Sequence, residues 1–207
     1  TPITAVKCYL EAIEDGMMKL DQKTISMLQS ELNRLIDITG KIMEYESFTH
    51  DIFDSVRVER FSIRRPTEHL IREYTPQLRK TNQSILIQFP SDCIIQMDRS
   101  MYAQILHNIF SNFIKYAGEN SILTYAFEKT ERDYIFTFSD DGVGIPDEEL
   151  EFVKEKFYRV VKSRNQEDQS MGIGLSVIDR IAKIHRGSLS IEKNTPNGVK
   201  IIVTIAR

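Results

Sequence analysis

The apolar residues of this 207-residue chain change their spacing near residue 57, and that change divides what the chain can become. Before it, Ile3, Val6, Leu10, Ile13 and Met17 recur at alternating three- and four-residue steps, as do Ile25, Leu28, Leu32, Leu35, Thr39 and Ile42. Such spacing draws one apolar stripe along each of two helices. Asp15-Gly16 and Asp21-Gln22 interrupt it, so residues 1–57 read as a helical hairpin. Two heptad helices enclose too little core to stand alone. Their seam therefore meets either a second copy, forming a four-helix bundle, or the rest of its own chain.

Beyond residue 57 the pattern is mixed, and residues 58–207 read as a second domain. FSIRRP is a short strand closed by Pro66, and Thr67 to Lys80 reads as a helix. SILIQFP and CIIQMD are apolar runs of strand length separated by Pro90-Ser91-Asp92. A helix over 99–117 carries Met101, Ile105, Ile109, Phe110, Phe113 and Ile114 on one face, with Asp98 or Ser100 able to cap its start. ILTYAFEK and DYIFTFSD form a hairpin about Thr130-Glu131-Arg132. Residues 174–186 form a helix, and SLSIEK and VKIIVTIA form a last hairpin with Asn197-Gly198 near its turn. The fold class is α+β: the helical hairpin, then a two-layer α/β sandwich with helices on one face of a mostly antiparallel sheet.

With 27 basic and 30 acidic residues in no long single-sign run, the net charge of −3 gives no footprint for nucleic acid. Cys8 and Cys93 have neither metal-ligand nor framework spacing, which suits a reducing compartment. No apolar run reaches the length of a membrane span, and the chain starts at Thr1 rather than a methionine, so it reads as a soluble piece of something longer.

Three places put polar groups or glycines where the pattern alone would not. Asn108 and Asn112 lie one turn apart on the 99–117 helix, with Lys115 and Tyr116 a turn beyond. An asparagine oxygen is a hard, uncharged ligand suited to a magnesium ion that shares phosphate oxygens; the plainer alternative is that Asn112 bonds a neighbouring backbone group. Asp140 ends a strand, where an acceptor-only carboxylate can take a hydrogen bond from an exocyclic amine, and Gly142 and Gly144 follow in SDDGVGIP. A tight turn is the alternative there. Gly172 and Gly174, in SMGIGLSV, precede a helix whose first amides can hold phosphate oxygens, or they merely ease the helix start.

Taken together and in order, the Asn-bearing helix, the strand ending in DxGxGI, Phe157-Tyr158-Arg159 and the GxGL that opens a helix resemble the ATP-binding domain of the sensor histidine kinases. That superfamily also holds the gyrase, heat-shock chaperone and MutL ATPases. The resemblance continues through Ile184-His185-Arg186-Gly187 and the closing hairpin. TPITAVKCYLEAIEDG looks like the dimerisation helix that begins with the last two residues of the family's His-x-x-x-Thr-Pro box.

The resemblance implies ATP and magnesium as cofactors. It makes Asn112 the metal ligand, with Asn108 as a supporting or second one, and puts Lys115 and Tyr116 against phosphate and nucleoside. It implies adenine recognition by Asp140, a floor beneath the base from Gly142 and Gly144 with Ile145 beside them, and phosphate-side glycines at Gly172 and Gly174 with Leu175 following. Phe157 becomes the anchor of a mobile lid, and Arg159, Lys162 and Arg164 its cations. Ser170 and Met171 stand where the family commonly has glycine and threonine, which implies a stiffer lid hinge. The phosphoacceptor histidine would lie four residues before Thr1, and none of His50, His69, His107 and His185 replaces it by motif. No catalytic residue is therefore assigned within the chain. The implied activity is histidine autophosphorylation from magnesium-ATP, then transfer to a response regulator receiver domain. The implied setting is a homodimer on the cytoplasmic side of a bacterial sensor, reaching a membrane only through segments outside this chain. An ATP-hydrolysing switch of the gyrase or chaperone kind is the alternative. Those proteins place a glutamate where Asn108 stands, and an amide is no base for activating water.

Overall fold

The computed structural model describes residues 2–33, 35, 36, 39, 56–91, 93–153, 158 and 172–207. They fall into two compact units, Thr1–Val56 and Arg57–Arg207.

In the first unit, α1 (Pro2–Glu14) and a second helical stretch, α2 (22–33), are joined by a turn. Asp21 caps α2, its carboxylate accepting the Thr24 N–H at 2.9 Å. This and further hydrogen bonds at the start of α2 hold its carboxyl below the ordinary carboxylate range. The apolar seam is split by exposure. Ile3, Leu10 and Leu32 lie in water, whereas Val6, Ile13 and Leu28 are half-buried.

The second unit holds two sheets. β1 (Val58–Ser62) pairs antiparallel with β3 (Ile94–Asp98), Val58 opposite Asp98. The larger sheet runs β2-β4-β5-β7-β6, from β2 (Ser84–Gln88), β4 (Ile122–Lys129), β5 (Asp133–Asp140), β6 (Ser188–Lys193) and β7 (Val199–Ala206). β2 runs parallel to β4, and the other neighbours are antiparallel. The two central apolar runs, β2 and β3, thus belong to different sheets. Both expected hairpins form, β4–β5 and β6–β7.

Helices α3 (Arg64–Lys80), α4 (Arg99–Tyr116) and α5 (Gly174–Ile184) cover one face of the large sheet, as the sandwich expectation required. In β5 the period of two sends Tyr134, Phe136 and Phe138 to this face, where Phe136 meets Tyr102 of α4 at 5.9 Å between ring centroids. Tyr102 also joins Tyr125 and Thr67 in a buried hydroxyl chain at 3.0 and 2.6 Å. Burial lifts both tyrosines above their ordinary value.

Two boundaries differ from the sequence reading. The first strand ends at Ser62 and the helix begins at Arg64, so Pro66 sits inside the first helical turn instead of closing a strand. A proline there gives up only an N–H that has no intrahelical acceptor. The last helix stops at Ile184, where His185 and Arg186, the latter at φ 55°, turn the chain toward β6. At the start of α4, Asp98 is the cap: its carboxylate accepts from Ser100 N–H at 2.8 Å, Met101 N–H at 3.2 Å and Arg57 N–H at 2.8 Å. Burial alone would raise this carboxyl, but these donors and the Ser100 hydroxyl hold it below its ordinary value.

Candidate nucleotide site

α4 buries Met101, Tyr102, Ile105, Leu106, Ile109, Phe110 and Phe113 against the sheet and its neighbours, which leaves Asn108 and Asn112 on another flank. α5 begins against that flank. A Cβ built on Gly174 would stand 3.0 Å from Asn108 Oδ1 and 3.5 Å from Asn112 Nδ2, so the glycine lets the helix start approach both amides. Asn108 donates its Nδ2 to the Gln104 carbonyl at 2.9 Å, a bond that turns its oxygen toward Gly174. The N-cap position of α5, Ile173, has no side-chain cap for the first amides. The start of α5 and a fixed amide oxygen therefore face one another, a setting that favours an anion and its counter-cation. Lys115 is exposed and Tyr116 half-buried at the end of the same helix.

Asp140 continues the inward series of Tyr134, Phe136 and Phe138, so strand alternation sends its carboxylate to the helix side. Asp141 has the opposite direction, is exposed, and accepts the Ile122 N–H at 2.6 Å. Asp140 Oδ1 accepts the Gly142 N–H at 2.9 Å and the Val199 N–H at 3.2 Å. Burial raises the Asp140 carboxyl, Asp141 adds to the rise, and the two N–H groups oppose it. The carboxylate is thus buried, held through one oxygen, and still an acceptor.

The glycines beyond it are required by the chain's own packing. A Cβ on Gly142 would lie 2.3 Å from the Ala117 carbonyl oxygen, and Val143 N–H bonds that same oxygen at 3.0 Å. Gly144, at φ 74°, packs on Gly198. The loop after β5 is in this way pinned to the end of α4 on one side and to the β6–β7 turn on the other. The sequence reading took Gly142 as room for a flat base; its Cβ direction is filled by Ala117. Ile145 is half-buried in this loop, Gly172 has φ 69°, and Leu175 is half-buried in the first turn of α5.

The structure brings Asn108 and Asn112 to Gly174, and Asp140 with Gly142 to the end of the same helix α4. Phe157, Arg159, Lys162 and Arg164 lie outside the described residues. So does His50. His69 is exposed on α3, 3.7 Å from Glu73, and His107 Nδ1 bonds the Tyr74 hydroxyl at 2.7 Å. His185 is half-buried behind α5, and burial lowers its pKa. Sequence reasoning missed the turn that holds Asp140: Asn194 Nδ2 donates to the Asp140 carbonyl at 2.7 Å, and Gly198 presses on that carbonyl. It also missed Gln83, buried under the loop after α4, whose Nε2 lies within bonding distance of Gly118 O, Phe113 O and Ser121 Oγ. Only the Asn197-Gly198 pair signalled a turn, and nothing local linked it to residue 140.

Residues 97–207, just over half of the chain, match the family described as histidine kinase-, DNA gyrase B- and HSP90-like ATPases. The sensor histidine kinase WalK of Bacillus subtilis is 25% identical over 99% of this chain, which spans 34% of that protein. The sensor histidine kinase YclK of the same organism is 27% identical over 99% of the chain, which spans 44% of its length. The chain thus covers less than half of these curated relatives. Among solved structures, the histidine kinase AdeS of Acinetobacter baumannii is similar at a TM-score of 0.68 and 20% identity, covering 100% of this chain and 95% of that one. The histidine kinase ThkA, solved in complex with the response regulator protein TrrA, is similar at a TM-score of 0.67 and 22% identity over 100% of this chain and 57% of its own. The resemblance drawn from the motifs is borne out.

Proposed function

The chain belongs to the histidine kinase-, DNA gyrase B- and HSP90-like ATPase family, and from that premise we propose that it is the ATP-binding and dimerisation core of a two-component sensor histidine kinase. The observation that carries the reading is the buried Asp140 carboxylate, fixed through Oδ1 by two backbone N–H groups and sharing helix α4 with the Asn108–Asn112–Gly174 cluster.

Each group has a task that its chemistry suits. Asp140 accepts the exocyclic amine of adenine with the oxygen not fully engaged by the backbone. The first amides of α5 receive phosphate oxygens, assisted by the Lys115 ammonium. The donor set fits magnesium: two asparagine amides on one flank, one with its oxygen already oriented, beside a place for phosphate oxygens. Asn112 would hold the ion and Asn108 support it, and the bound ion would supply charge neutralisation of the polyphosphate. Phe157, Arg159, Lys162 and Arg164 are assigned to the lid by resemblance alone. The chain's own residues then orient and neutralise, which is most of what phosphoryl transfer asks of a protein.

The acceptor in this reading is a histidine on the dimerisation helix, and the next acceptor is a receiver-domain aspartate. The relative solved with a response regulator supports that partner. A switch of the gyrase kind is disfavoured because Asn108, bonded to Gln104 O, cannot take a proton from water. The relatives are sensor kinases longer than this chain, which favours a cytoplasmic core with any membrane anchor beyond the 207 residues. Among the described residues no helix is long and apolar enough to cross a membrane.

Calorimetric titration with ATP, with and without magnesium, tests the reading. Saturable one-site binding strengthened by magnesium, with negligible release of inorganic phosphate, is the expected result. The absence of adenine-nucleotide binding would reject it, and rapid magnesium-dependent hydrolysis would favour the switch.

A further inference from the structure

The strand pairing stops one residue short of the carboxylate that matters. The β5–β7 register ends with Ser139 opposite Lys200, and one more step would set Val199 opposite Asp140. At that step Val199 N–H goes to Asp140 Oδ1 at 3.2 Å, while the Asp140 carbonyl is taken by Asn194 Nδ2 at 2.7 Å. An asparagine side chain thus occupies the acceptor that a continuing ladder would give to Val199, and Val199 is released to the carboxylate. The same asparagine closes the β6–β7 turn through its own N–H, which bonds Gly198 O at 3.0 Å. Gly198 has φ 102°, and a Cβ there would lie 1.9 Å from the Asp140 carbonyl oxygen and 2.8 Å from its Oδ1. The turn is therefore seated directly on Asp140, with Asn194 as its fastening.

We infer that Asn194 is a positioning residue for adenine recognition: by capping the Asp140 carbonyl it commits Val199 N–H to Oδ1 and leaves the carboxylate aimed at the exocyclic amine. The inference rests on the proposed adenine-nucleotide site and deepens it. Without the Asn194 donor, the part-buried carbonyl draws Val199 N–H back into the ladder, since a carbonyl left unbonded costs more than a hydrogen bond gains. The carboxylate then keeps only the Gly142 N–H and loses its aim. The groups that bear on its titration are the Gly142 and Val199 N–H donors, which favour the charged form, and Asp141, which disfavours it. Loss of Val199 moves the balance toward the protonated form.

The test compares ADP with inosine diphosphate, which carries a carbonyl in place of the exocyclic amine. Binding is measured across pH for the 207-residue chain, Asn194→Ala, the isosteric Asn194→Asp, and Asn197→Ala as a control on the same turn. Both Asn194 variants should lose roughly tenfold in ADP affinity, the worth of one well-aimed hydrogen bond to a charged group, with inosine diphosphate affinity unchanged. The acid limb of ADP binding should move to higher pH, and Asn197→Ala should match the unsubstituted chain. Equal losses for both nucleotides would mean that Asn194 only supports the fold of the turn. An unaltered preference for ADP in both variants would overturn the inference while leaving the site assignment standing. If Asn194→Ala does not fold, Asn194→Asp, which keeps the volume and removes the donor, decides alone. An unsubstituted chain with no preference for ADP removes the adenine reading, and this inference with it, before any variant is compared.

Discussion

Replacing Asp140 by asparagine separates recognition from folding more sharply than other single changes at the site. The side chain keeps its size, so the contacts around Gly142, Val199 and Gly198 remain. If the amide oxygen stays on the Gly142 and Val199 N–H groups, now 2.9 and 3.2 Å away, the NH2 faces the adenine amine, donor against donor. If the amide flips, its NH2 meets two backbone donors instead. Either way one charge-assisted hydrogen bond, about 1.5–3 kcal/mol, is lost, and a buried donor without a partner adds about 1–3 kcal/mol. The sum, about 2.5–6 kcal/mol, is a loss of roughly sixtyfold or more in affinity. Stability should move the other way. Burial raises the Asp140 carboxyl in the folded state, so the folded chain binds its proton more tightly than the unfolded one. Stability from this group is full below the unfolded value of 3.8, declines as pH rises toward the raised folded value, and is absent at neutral pH, where the buried charge is a burden. Asp140→Asn removes that burden, so its thermal midpoint at pH 7.5 should equal or exceed that of the unsubstituted chain. Calorimetric titration with magnesium-ATP and thermal unfolding on the same samples give both numbers. Undiminished affinity would refute the assignment, and a loss of affinity matched by a loss of stability would make Asp140 a structural residue.

Asn112→Asp adds a charge beside the phosphate position without touching the base pocket, so the magnesium dependence of ATP binding should change while metal-free ADP binding stays within a fewfold; abolition of both by calorimetry would contradict the metal role. Gln83→Ala removes one donor each from Gly118 O and Phe113 O, which keep the Ser121 hydroxyl and the Ala117 N–H, under the loop that Gly142 leans on, and should cost about 0.5–1.5 kcal/mol in urea unfolding, with no change refuting the link. The chain should sediment at twice its mass, because Ile3, Leu10 and Leu32 are 66%, 54% and 48% exposed in a single copy and burying such side chains is worth about 1.5–3 kcal/mol each; a clean monomer at micromolar concentration would refute it.

What was legible in the sequence, and what was not, follows from the range of the forces involved. The alternation in DYIFTFSD marked the strand that ends at Asp140, and because a strand has only two sides the same period of two sets Asp140 on the face of Tyr134, Phe136 and Phe138 in the structure. The i, i+4 spacing of Asn108 and Asn112 likewise survived into the structure, since a helix fixes that neighbourhood whatever it packs against. The start of α3 was misplaced because Pro66 signals a boundary without saying which side of it the helix begins; only the missing need for an N–H in the first turn decides that. Asn194 and Gln83 were illegible for a different reason. Each donates across a large sequence separation, 54 residues to Asp140 and 35 to Gly118, and an asparagine or glutamine in a polar stretch looks the same whether it faces water or a carbonyl. Gly142 shows the middle case: the glycine was visible, but the atom that forbids a side chain there belongs to Ala117, at the end of another element. The groups that touch a nucleotide are therefore readable from short motifs, whereas the groups that aim them are set by contacts that exist only once β5, β7 and α4 have come together.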